Sequence, residues 1–99
     1  MRDLQLRTPG MFAMVQEESN RQIAKWGVRN HNPYKWDTIV HEEVGEVSKA
    51  ILEHEIQGGS GFAANAMQEA IQAATLYLKI AEMYHEEWMH ELAMERKQA

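Results

Sequence analysis

Apolar residues recur at helical rather than strand spacing along nearly the whole chain. Met11, Val15, Ile23 and Trp26, with Met14 adjacent, fall on one face of a helix. Thr8 is placed to cap this segment, with Pro9 in the first turn where its missing N–H costs nothing, and Gly27 ends it. The stretch from Gly27 to Trp36, GVRNHNPYKW, is rich in Asn and Gly and reads as a loop. Asp37 or Thr38 then caps a second helix with the stripe Val40, Val44, Val47 and Ile51, and Glu42 and Glu43 stand in its early turns, where the helix dipole favours acids. Gln57 to Gly61, QGGSG, is the strongest break. From Phe62 to about Arg96 no Pro or Gly intervenes. There Met67, Ile71, Ala74, Leu78, Ala81, His85, Trp88 and Leu92 alternate in steps of four and three, which predicts a long helix with a coiled-coil-like seam and one candidate break near Tyr84.

The pattern is all-α: a helical hairpin preceded by an N-terminal helix, one domain over residues 1–99. Ala, Met, Glu and Gln abound and there are only two prolines, which agrees with that class. A chain of 99 residues buries only about two-thirds of its unfolded surface. The expected architecture is therefore a multi-helix bundle completed across a homo-oligomer, with Ala63, Ala64, Ala66, Ala70, Ala73 and Ala74 allowing another helix to approach closely.

Fifteen acids against ten bases leave a net charge of −5. That argues against binding a nucleic-acid polymer, which needs a basic stripe, and against a polybasic membrane surface. With no cysteine, disulfides, zinc–thiolate sites, iron–sulfur clusters and thiol nucleophiles are excluded. No apolar run approaches the roughly 20 residues of a membrane span, and no secretory apolar stretch follows Met1, so a cytoplasmic protein is expected.

Chemistry concentrates in two short segments. Glu42, Glu43 and Glu46 lie within one turn of each other, and like charges at these spacings repel. Gly45 sits among them at a helix-weakening cost of about 0.5–1 kcal/mol, leaving room for another helix or for a ligand. The third helix offers a second pair of oxygen ligands, Glu69 and Gln72. Counted from Gly58, Glu46 stands twelve residues before the turn and Glu69 eleven after it, so an antiparallel hairpin brings the two groups to the same height. Three or four hard oxygens at one level suit Mg²⁺ or Mn²⁺. A solvated acidic face is the plainer reading of the same residues.

Residues 20 to 82 resemble the MazG-like nucleotide pyrophosphohydrolases, whose hallmark is E-E-x-x-E on one helix and E-x-x-D on the next. Glu42, Glu43 and Glu46 complete the first half, and Glu69 with Gln72 supplies the second, with Gln where Asp is common. Upstream, Asn20-Arg21-Gln22-Ile23-Ala24-Lys25-Trp26-Gly27 and then His31 resemble the R-Q-x-x-K-W-G…H stretch of a bacterial and phage branch; Trp36 and Ile39 fit as well. The resemblance implies cleavage of a nucleoside triphosphate or its deoxy counterpart between the α- and β-phosphates, releasing the monophosphate and pyrophosphate. It implies Glu43, Glu46 and Glu69 as Mg²⁺ ligands with Gln72 completing the set, Glu42 orienting or deprotonating the attacking water, and a homodimer or homotetramer. Gln72 brings an amide oxygen but no charge, which points to weaker metal binding.

Lys25, Trp26 and His31 are candidate substrate-binding residues. Lys25 could meet phosphate, and Trp26 could stack on the base or simply pack on the core. His31, Asn32 and Tyr34 could form a recognition edge. Lys79 lies nearly three turns beyond Glu69, roughly 15 Å along the axis, so it would have to reach the carboxylates from a neighbouring subunit. Glu82…His85 and Glu87…His90 both show the E-x-x-H spacing of di-iron helices, but both lie on one helix where such a site needs two. Three function classes stand: the Mg²⁺-dependent pyrophosphohydrolase, a catalytically weak nucleotide-binding or regulatory relative, and a helical interaction module.

Overall fold

A computed structural model describes residues 5–98, so the extreme ends of the expected single domain, Met1 included, lie outside the described residues. The described chain is all-helical: α1 (Met11–Trp26), α2 (Pro33–Gln57) and α3 (Ser60–Gln98). None of the helices is long and apolar enough to cross a membrane.

Two helix starts differ from the sequence reading. The N-cap of α1 is Gly10, not Thr8; Thr8 contributes its carbonyl, which accepts from the Met11 N–H at 3.1 Å. The second helix begins four residues before Asp37. Asn32 is its N-cap, with the side-chain oxygen accepting the Lys35 N–H at 2.9 Å and Pro33 in the first turn. Asn-Pro reads locally as a turn, yet the same pair is a cap followed by a residue whose φ is preset for a helix. At the hairpin, Gly58 (φ 69°) and Gly59 (φ 101°) take left-handed backbone that an L side chain rarely adopts, and the Gly58 N–H bonds to the His54 carbonyl. The third helix runs unbroken through Tyr84.

Both other helices pack on α3, which is the spine of the molecule. The small core between α2 and α3 is Val40, Ala50, Ala73 and Leu76, with Thr75 buried among them and its hydroxyl donating to the Ile71 carbonyl. The inward line of α2 therefore runs through Val40, Glu43, Val47 and Ala50, and places a carboxylate in a row of apolar side chains. Val44 and Ile51, expected on the buried stripe, are exposed. On α3 most of the heptad seam is exposed, Leu78 and Trp88 included, while Ile71 and Leu92 are half-buried. A compact chain of this length has a radius of gyration near ~13 Å, whereas this one has 17.0 Å and measures 59 × 31 × 21 Å. One chain thus leaves much of its apolar surface uncovered.

Candidate functional site

A cleft of about 530 Å³ opens between α1 and α2, over α3. The first helix contributes Arg21, Gln22 and Trp26, α2 contributes Trp36, Glu42 and Glu43, and α3 contributes Gln72, Leu76 and Lys79. Arg29 lines it from the loop that follows Gly27, whose φ of 75° turns the chain out of α1.

The acidic side of this cleft centres on Glu43. Partial burial pushes its carboxyl above the usual carboxylate range, and the negative charges of Glu69, Glu46, Glu18 and Glu42 push it further. The hairpin register inferred from the sequence is therefore visible as electrostatics: Glu69 on α3 is the strongest charged influence on Glu43 across the turn. Glu42, Glu43 and Gln72 line the cleft, whereas Glu46 and Glu69 act on it from outside its lining. Among the described residues no three His, Asp or Glu side chains are grouped closely enough to hold a metal ion. The donors are all hard oxygens on facing helix turns, the chemistry a Mg²⁺-type ion requires. Gly45 faces open space, so no helix of this chain exploits the missing side chain.

Sequence reasoning missed Glu18. Arg21 grips it with two hydrogen bonds of 2.8 and 2.7 Å, and the Gln22 amide donates to it at 2.8 Å. These donors, Arg21 foremost, hold the Glu18 carboxyl below its ordinary range despite partial burial. Gln22, only 6% exposed, accepts in turn from Lys79 Nζ at 2.8 Å. This relay, Lys79 to Gln22 to Glu18 with Arg21, ties α1 to α3. Lys79 thus lines the cleft within its own chain, bonded to Gln22 and near Glu18, without reaching Glu43. The signal available in the sequence was a polar Gln22 on the inward line of Met11, Val15 and Ser19.

At the other end stands Trp26, 47% exposed. Lys25 Nζ lies 4.7 Å from its ring centroid, Arg29 Cζ 4.9 Å and Arg21 Cζ 5.9 Å. Trp26 thus lines the cleft half-exposed, not packed in the core, and is the hub of a cationic cluster. Burial lowers the pKa of Lys79, and the nearby Arg29 lowers it further against the opposing pull of Glu18. His31 is set back from the cleft lining. It packs edge-on against Trp36 at 4.9 Å, and its Nε2 is shut off from solvent without a hydrogen-bond partner among the described residues. Loss of solvent, then Lys35 and Arg29, lower its pKa and favour the neutral ring.

No known protein family, curated protein or solved structure matches the chain.

Proposed function

We propose that the chain is a Mg²⁺-dependent nucleoside triphosphate pyrophosphohydrolase, acting on ribo- or deoxyribonucleotides. The observation that carries this reading is one cleft with carboxylates on one side and cations on the other. An acidic protein holds a polyanion only if cations stand between them or if its own bases are gathered at one place, and this cleft is lined both by carboxylates that would attract a cation and by a group of bases. Its volume lies within the range of about 300–1,000 Å³ usual for small-molecule sites.

Glu43, Glu46 and Glu69 would hold the metal, with Gln72 as a neutral oxygen donor; Mn²⁺ suits the same donors. When bound, Mg²⁺ neutralises phosphate charge and lowers the pKa of a coordinated water. Glu42 lines the cleft beside Glu43 and takes the proton of the attacking water. The water oxygen bonds to the α-phosphorus, the bond from that phosphorus to the bridging oxygen breaks, and pyrophosphate leaves. Glu18 keeps Arg21 aimed at this region, where Arg21 also feels the charge of Glu43.

A second copy of the chain completes the bundle in this reading, covering Val44 and Ile51 of α2 and Leu78 and Trp88 of α3. The chemical test is pyrophosphate release from a panel of NTPs and dNTPs with Mg²⁺, for the native chain and Glu42→Gln. Turnover in the native chain, with nucleotide binding but no turnover in E42Q, supports the assignment. Release from no nucleotide, or undiminished release by E42Q, overturns it.

A further inference from the structure

The cationic end of the cleft has a chemistry of its own. In a chain of net charge −5, Arg21, Lys25 and Arg29 surround one indole within 6 Å, and Arg29 and Lys79 line the same wall. Among the described residues only Arg21 has a carboxylate partner, Glu18 at 2.7 Å. Lys79 is bonded to a neutral amide oxygen, which uses one of its three N–H groups. Lys25 and Arg29 form no ion pair among the described residues, and what gathers them is the negative face of the Trp26 ring. Like charges brought together by an aromatic ring and left without a counter-ion form a site prepared for an anion of several charges.

We infer that the Trp26 end of the cleft is a metal-independent polyphosphate site, in which Arg29 and Lys79 grip phosphate oxygens and Trp26 is the platform that positions Lys25 and Arg29, not a surface for stacking the base. The inference rests on the reading that the cleft takes a nucleoside triphosphate, and it fixes the direction of that molecule. The β- and γ-phosphates, the leaving pyrophosphate, lie toward Arg29 and Lys79, while the α-phosphate lies toward Glu42 and Glu43. A base stacked on Trp26 would have to displace Lys25 or Arg29 from the ring. The guanidinium of Arg29 meets phosphate through a planar fork of donors, and Lys79 as a point charge.

Tripolyphosphate, which carries no base, separates the two roles of Trp26. Its binding is measured by calorimetry in EDTA, without divalent metal, for the native chain, Arg29→Gln, Lys79→Gln, Trp26→Leu and Trp26→Phe, each checked for an unchanged helical spectrum. The expected result is binding by the native chain, about tenfold weaker binding for R29Q, K79Q and W26L, and near-native binding for W26F, which keeps a ring face. Absence of tripolyphosphate binding by the native chain overturns the inference. So does W26L binding tripolyphosphate normally while losing affinity for nucleotide, because Trp26 then serves the base. Pyrophosphate release with Mg²⁺ reports separately on the hydrolase. Turnover together with tripolyphosphate binding indifferent to R29Q, K79Q and W26L leaves the hydrolase standing and removes this site. Tripolyphosphate binding that responds as expected, without turnover, does the reverse.

Discussion

Glu43→Gln should stabilise the metal-free protein, although it alters a half-buried polar residue facing the core. The carboxylate lies on the inward line of α2 between Val40 and Val47, and four other carboxylates raise its pKa in addition to burial. Each like-charge neighbour at helix-surface distances costs about 0.2–0.5 kcal/mol, so relieving four of them returns about 1 kcal/mol at neutral pH. For a domain of this size that is a rise in Tm of about 4–8 °C. The pH dependence follows in sign. A carboxyl whose folded pKa lies above the unfolded value of 4.5 binds more protons when folded, so its contribution is fully present below 4.5 and is lost as pH rises through the folded pKa. Glu18 is shifted the other way, and its contribution is present above 4.5 and lost as pH falls through its lower folded pKa. The two windows lie on opposite sides of 4.5. Thermal melts in EDTA between neutral pH and pH 5 should show the native chain gaining stability relative to E43Q as the pH falls, with E43Q ahead at neutral pH. Mg²⁺ should raise the Tm of the native chain more than that of E43Q. An E43Q protein that melts below the native chain in EDTA at neutral pH would refute the argument, since the carboxylate would then be a structural partner.

Asn32→Ala removes the hydrogen bond to the Lys35 N–H and should cost about 1 kcal/mol in chemical denaturation; an unchanged midpoint would mean that Pro33 alone starts α2. Gly45→Ala separates monomer from assembly: with open space around Gly45, the isolated chain should gain about 0.5–1 kcal/mol. If light scattering shows a dimer or tetramer in the native chain and G45A weakens it, the close helix approach at Gly45 belongs to the second copy. A well-folded native monomer at micromolar concentration would remove the oligomer.

The hairpin was legible because its evidence is local. The run of turn residues at Gly58 and Gly59 sets an antiparallel pair, and counting from it places Glu69 opposite Glu43 and Glu46, as the influence of Glu69 on Glu43 now reflects. Which stripe of each helix turns inward was less legible. On α2, Val40 and Val47 fit two lines, one through Val44 and Ile51 and one through Glu43 and Ala50, and hydrophobicity favours the first. Packing on α3 selects the second, because small Ala50 and Ala73 let the helices approach while the larger side chains stay outside. The position of α1 was the least legible, its one local signal being the polar Gln22 on an otherwise inward line. Its docking on α3 is tied by Gln22, Glu18 and Lys79, residues far apart in sequence whose polar types suggest a solvent face.

That docking also explains why the two ends of the cleft differ in kind. Glu18 stands between them: it repels Glu43 on one side and holds Arg21 and Gln22 on the other. Gln22 passes the connection to Lys79, so Glu18, Arg21 and Lys79 are joined through one hydrogen-bonded relay, which Glu43 reaches only through its charge. Because the relay is partly buried, its bonds are worth more than exposed ones, and leaving any member unpaired is costly. A charge added at the Glu43 end, whether by a proton or by a cation, therefore changes the field at Glu18, the residue that aims Arg21. The field at the carboxylate that holds Arg21 thus depends on the ionisation of Glu43, and α1 is the element through which that dependence runs.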